Sequence, residues 1–201
     1  MRYGNVHDSV HQRAVLGRWR QSACSRGKAA PPDGQSGKMR GITMTNEEVW
    51  KALETVKDPE IHSISIVDLG MVEQIDVRDG AVSVSLLPTF LGCPALDIIR
   101  ARVEEAVKQA GASAVTVEFL RHPPWTSDRI SEAGRERLKQ FGIAPPPRQM
   151  PSGAWQVACP YCGAERTVME NLFGPTACRS IFYCQQCKNP FEAMKPVLVS
   201  R

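Results

Sequence analysis

Apolar positions first recur with helical spacing in "TNEEVWKALETV", where Val49, Leu53 and Val56 fall at i, i+4 and i+7. Thr45 with Glu48 three residues later is a capping-box signature, so a short helix is expected to begin there. "KDPEIHSISIVDLG" breaks the pattern at Pro59 and reads as an extended, partly β-branched loop ending in glycine. The period then switches to two. "MVEQIDV" and "AVSVSLL" alternate about Arg78-Asp79-Gly80, a β-hairpin signal.

Helical spacing returns in "PTFLGCPALDIIRARVEEAVKQAGA", with a start near Pro94, a stripe through Leu96, Ile99, Val103 and Val107, and a stop at Gly111. "SAVTVEFL" alternates as a further strand, and after "RHPPWTS" the segment "DRISEAGRERLKQFG" predicts a polar-faced helix. The order helix, hairpin, helix, strand, helix predicts a small α+β domain whose mixed sheet is covered by helices on one face. "IAPPPRQMPSG" then reads as a stiff, proline-dense linker. The expected organisation is an extension over 1–43, the α+β domain over 44–142, the linker over 143–153 and a cysteine-rich module over 154–201.

The formal charge of +4 changes meaning once it is divided along the chain. Residues 1–40 carry eight Lys/Arg against two Asp/Glu, leaving 17 of the 25 basic and 19 of the 21 acidic side chains for the rest. The basic excess therefore belongs to the extension, which lacks apolar periodicity, ends in a Pro/Gly/Ser-rich run and reads as disordered. It has no apolar segment with a small-residue cleavage site, so no secretory signal is expected. Its Arg-rich, acid-poor composition suits an organellar targeting peptide, but a translation start at Met39 or Met44 is the simpler account and the one favoured. No run approaches the ~18 consecutive apolar residues of a membrane span. Four of the seven cysteines sit in two CxxC pairs, so a reducing cytoplasm and a metal are expected rather than disulfides.

Cys159/Cys162 and Cys184/Cys187 each place two thiols on one tight turn, and 21 residues separate the pairs. Two such turns complete a tetrahedron, and the intervening segment can form a hairpin about Gly174-Pro175, the layout of a zinc ribbon. Four thiolates also suit an iron–sulfur centre, and spacing alone leaves that alternative open. Residues 154–201 carry five basic and three acidic side chains, a weak footprint for a polyanion, so no nucleic-acid partner is expected. The fifth cysteine of the segment, Cys178, lies an even number of residues before Cys184. It is expected as a packed thiol beside the ribbon core, with replacement of a ligand as the alternative.

Cys93 in "TFLGCPAL" is the other chemical candidate. Pro94 suits the first helical position, which would put Cys93 at the N-cap, where the dipole favours a thiolate able to act as nucleophile or soft-metal ligand. A buried small residue is the competing reading. Asp58 and Asp68 present a similar choice between fixing turns and supporting a metal near Cys93. His62 and His122 sit in no ligand spacing, and Cys24 lies in the extension.

"DPEIHSISIVDLGMV", "LGCPA" and "HPPWTSDRISEAGRERLKQFGIAPP" resemble the iron–sulfur assembly domain that includes the SufT-type proteins. Joined to "CPYCGAERTVMENLFGPTACRSIFYCQQCKNPFEAMKP", the chain over about 45–196 resembles the PaaD (PaaJ) family of accessory subunits of the bacterial phenylacetyl-CoA epoxidase system. That resemblance implies a role in aerobic phenylacetate catabolism, in maturing a di-iron oxygenase or assembling its partner subunits. It makes Cys93 the transient ligand of iron or an iron–sulfur cluster, with Asp58, Glu60 and Asp68 shaping its loop, and the ribbon a structural zinc site. His62 departs from the proline that commonly follows such "DPE" starts, which puts the local loop conformation in question. The sequence holds no Glu-x-x-His pair for a di-iron site, no GxGxxG and no defensible Ser/His/Asp arrangement, so a non-catalytic subunit is expected. A passive structural zinc subunit and a nucleic-acid-binding ribbon regulator are the competing functions.

Overall fold

The computed structural model describes residues 44–148 and 155–198. The basic extension, Cys24 and the central part of the linker lie outside the described residues. Helix α1 (Asn46–Thr55) opens on the expected capping box: Glu48 N–H donates to Thr45 Oγ1 at 3.3 Å, and Thr45 N–H donates to Glu48 Oε2 at 2.8 Å. The hairpin joins β1 (Val72–Arg78) to β2 (Ala81–Leu86) through Asp79 and Gly80, both at positive φ. Such a pair is what a two-residue turn matching the strand twist requires. Helix α2 (Leu96–Gln109) crosses over to β3 (Ala114–Phe119), which pairs parallel to β2. The sheet order β1-β2-β3 is thus mixed.

Period-two alternation sends Val82, Val84 and Leu86 of β2 into the core, opposite Ile75 and Val77 on one side and Val115, Val117 and Phe119 on the other. The helices meet this face with Val49 and Leu53 of α1 and Ile99, Val103 and Val107 of α2, all buried. Each such side chain contributes roughly 1.5–3 kcal/mol on burial, which is how a three-stranded sheet becomes stable. A short 3₁₀ turn (Ser127–Arg129) leads into α3 (Glu132–Gln140), whose cap Ser131 accepts from Gly134 N–H at 2.9 Å.

A second sheet, ordered β4-β7-β6-β5, is built from β4 (Ile143–Ala144), β5 (Thr167–Asn171), β6 (Arg179–Cys184) and β7 (Pro190–Met194). Strands β5 and β6 form the expected ribbon hairpin about Gly174-Pro175. Strands β4 and β7 are additional to the elements predicted. Ile143 and Ala144, at the start of the predicted linker, pair parallel to Glu192 and Ala193 and so tie the exit of α3 directly to the ribbon.

The connection is made again elsewhere. Ile143 and Met194 are buried in the main core, Val197 N–H donates to Ser127 Oγ at 2.8 Å, and Ser127 N–H donates to Val197 O at 2.9 Å. Buried Arg135 donates to Pro146 O at 2.6 Å and to Ser127 O at 2.9 Å. The ribbon has its own small core, in which Phe182 stacks on Phe191 at 5.8 Å and meets Trp155 edge-on at 5.0 Å. No helix among the described residues is long and apolar enough to cross a membrane.

Candidate metal centre and the Cys93 cavity

Two matching turns build the four-cysteine site. Cys159 N–H bonds to Ala164 O and Gly163 N–H to Cys159 O, both at 2.9 Å; Cys184 N–H bonds to Asn189 O and Lys188 N–H to Cys184 O, both at 3.0 Å. The residue after each second cysteine, Gly163 or Lys188, takes a positive φ of 74° or 61°. This left-handed step lets each turn close and direct its two thiols the same way.

All four sulfurs lie within 4.8 Å of one another, with Cys159 to Cys187 at 3.7 Å and Cys162 to Cys184 at 3.6 Å. A tetrahedron with metal–sulfur bonds of ~2.3 Å has edges of about 3.8 Å, so the quartet fits one zinc ion. A cluster would force several iron and sulfide atoms between the sulfurs and spread them further apart. Cys159, Cys162, Cys184 and Cys187 would hold the ion, which cross-links two turns that otherwise share only a small core. Without it the thiols differ: burial pushes Cys159 up to about 12, while hydrogen bonds from Asn189 hold Cys187 down to about 6.

Cys93 lies elsewhere, and not at a helix cap. Helix α2 is capped by Ala95, with its first regular bond from Ile99 N–H to Ala95 O at 3.0 Å. Cys93 sits in the turn before it, accepting from Leu96 N–H and donating to Phe90 O. The turn takes up the Leu96 N–H and leaves Cys93 two residues before the cap, so the N-cap position expected of it belongs to Ala95. Burial instead raises the Cys93 thiol, opposed by the Ala95 N–H and reinforced by Cys178, Asp58 and Glu60.

Cys93, Asp58 and Glu60 share a cavity of about 180 Å³ with Leu69, Met194 and Cys178. Asp58 also has a structural task, because its Oδ1 accepts from the N–H groups of Glu60 at 2.8 Å and Ile61 at 2.9 Å, fixing the turn at Pro59. Its carboxyl is raised by burial, those two bonds working against the shift. Asp68 lies outside the cavity. It receives Ser65 Oγ and Ser131 Oγ, both at 2.9 Å, and pairs with Arg137, so it locks the Ser65–Gly70 loop to the start of α3. His62 and His122 stand apart from both sites.

Cys178 corrects another expectation. It precedes the first residue of β6, so strand alternation does not govern it, and it faces the cavity rather than the ribbon thiols. Arg179, which the sequence did not single out, is buried beside it and reaches Glu192 at 2.6 Å and Glu60 at 3.6 Å. The surplus cysteine in a glycine-proline turn was the available signal for Cys178. No local signal marked Arg179, because its partners come from distant segments.

Two family models match separate parts of the chain. A model of iron-sulfur cluster assembly proteins matches residues 46–119, and a PaaD zinc beta ribbon domain matches residues 143–195. The chain is 34% identical over 153 residues to the D component of the putative 1,2-phenylacetyl-CoA epoxidase of Escherichia coli, covering 74% of this chain and 91% of that one. It is 37% identical over 101 residues to an Fe-S protein maturation auxiliary factor of Porphyromonas gingivalis, covering 49% of this chain and 92% of the relative. A solved conserved hypothetical protein of Thermotoga maritima aligns with 36% identity and a TM-score of 0.43, covering 50% of this chain and 96% of that one. The extent of the match to the Escherichia coli protein, and the union of an assembly domain with this ribbon, show that the chain belongs to the PaaD family.

Proposed function

We propose that the protein is an accessory maturation factor within a phenylacetyl-CoA epoxidase complex, acting in the cytoplasm in aerobic phenylacetate catabolism. It receives iron, as an ion or a small iron–sulfur cluster, at Cys93 and passes it to a partner component of the oxygenase. The observation that carries this reading is the placement of Cys93 with two carboxylates in a cavity separate from the ribbon quartet. The four ribbon thiols suit a resident ion, whereas Cys93 beside hard carboxylate neighbours suits a cargo held loosely enough to leave. The names of the epoxidase and maturation-factor relatives support the same role.

A passive structural role is the second reading, favoured by the hydrogen bonds that employ Asp58 and Asp68 in turns. Removing the gene from a strain that makes the epoxidase decides the main issue. The oxygenase should still be synthesised but contain little iron or lack its reductase cluster, whereas normal metal content and activity would contradict maturation.

A further inference from the structure

The cavity around Cys93 receives a second thiol from the other end of the chain. Cys178 is held there by its own surroundings. Lys195 N–H donates to Cys178 O at 2.8 Å, the Cys178 sulfur lies 3.3 Å from Thr176 Oγ1, and that oxygen accepts from Arg179 Nε at 2.7 Å. The turn behind it is equally constrained: Gly174 N–H donates to Arg179 O at 3.0 Å, and a Cβ on Gly174 would come within 2.8 Å of that same oxygen. The position of Cys178 is therefore built rather than incidental.

Size and lining define what the cavity can accept. Organic ligands occupy pockets of roughly 300–1,000 Å³. At about 180 Å³ this one is too small for an acyl-CoA or a peptide, but has room for a metal ion with its remaining ligands. Cys93, Cys178, Asp58, Glu60 and Met194 line it among mainly apolar neighbours, and none of its lining residues is basic. The adjacent cation, Arg179, is committed to Glu60 and Glu192. Such walls reject anions and favour a thiophilic cation.

We propose that Cys178 is the second thiolate of the iron-receiving site, so that iron binds between Cys93 of the assembly domain and Cys178 of the ribbon. This rests on the reading of Cys93 given above. Binding one Fe(II) forms two iron–sulfur bonds and breaks two S–H bonds, both protons leaving to solvent, and no electron is transferred. The zinc ribbon thereby has a direct part in the site, because its fold presents the second ligand.

The test uses the full chain, zinc-loaded, reduced and anaerobic, titrated with Fe(II) alone and then alkylated with iodoacetamide for peptide mass spectrometry. One iron concentration should protect Cys93 and Cys178 together, with release of about two protons per iron. Cys178→Ser should retain its zinc and bind Fe(II) more weakly by on the order of tenfold or more. Protection of Cys93 with Cys178 still alkylated at its original rate would overturn the proposal, as would unchanged iron affinity in Cys178→Ser. Failure to protect either thiol would refute the Cys93 reading and this inference with it. Should the variant lose its zinc, protection in the unmodified protein decides.

Discussion

Arg179, its side chain only 7% exposed, lies 2.6 Å from Glu192 on the neighbouring ribbon strand and 3.6 Å from Glu60 in the loop that walls the Cys93 cavity. One guanidinium therefore joins the ribbon to the assembly domain beside the cavity, while its Nε holds Thr176 next to Cys178. The two glutamates are not equivalent. Glu60 is 44% exposed and Glu192 31%, so water compensates for loss of the first more readily than for loss of the second.

Arg179→Ala should lower unfolding free energy by about 1–3 kcal/mol, because it leaves Glu192 without its charged partner. Glu60→Ala should cost less than about 1 kcal/mol, as expected of an exposed pair. Denaturant titration of both variants checks the ordering, and equal effects would contradict the unequal clamp.

Asp58→Asn should preserve the turn, since the amide oxygen can accept the same two N–H groups, while removing a charge that burial disfavours. The native carboxyl is raised, so the folded protein holds its proton more tightly than the unfolded chain does. Its destabilising contribution is absent below the ordinary carboxylate range and fully present above the raised value. The variant should therefore gain thermal stability relative to the unmodified protein on going from pH 4 to pH 7. The neighbouring Glu60 carboxylate adds to that trend and Arg179 opposes it. A difference in Tm that is constant with pH would contradict the assignment.

Gly134→Ala should destabilise by roughly 1–3 kcal/mol through overpacking. An added Cβ would lie 2.6 Å from the backbone oxygen of Asp68, at the joint where Ser131 and Arg137 grip that residue. An unchanged denaturation midpoint would show that the contact can relax without cost.

Zinc should be retained at neutral pH and lost on dialysis against acid or a strong chelator. Coordination requires all four thiols deprotonated, so protons compete with the ion and affinity falls as pH falls. Metal analysis with near-ultraviolet circular dichroism should show zinc loss together with loss of the Trp155–Phe182 packing. A metal-free ribbon with that packing intact would contradict a structural role for the ion.

The capping box at Thr45, the Asp79-Gly80 hairpin, the apolar stripe of α2 and the two CxxC turns were legible because each is encoded within a few residues. The start of α2 was misplaced because Pro94 is compatible with a first helical turn, yet the chain spends Cys93 and Leu96 on a separate turn first. Cys178 was misjudged for a related reason: its parity with Cys184 matters only inside a strand, and β6 begins one residue later. The short strand β4, the clamp at Arg179 and the shared cavity depend on contacts between segments far apart in sequence. A linear pattern carries no record of those.

If Cys93 handles iron for the epoxidase, its loss must show in the metal content of that enzyme. The decisive quantity is the iron in epoxidase purified from cells whose only copy of this protein carries Cys93→Ser, alongside the zinc content and folding of the variant itself. A folded, zinc-replete variant with iron-poor epoxidase is the expected result. Epoxidase with its full iron complement beside that same folded variant would contradict a cargo-handling Cys93.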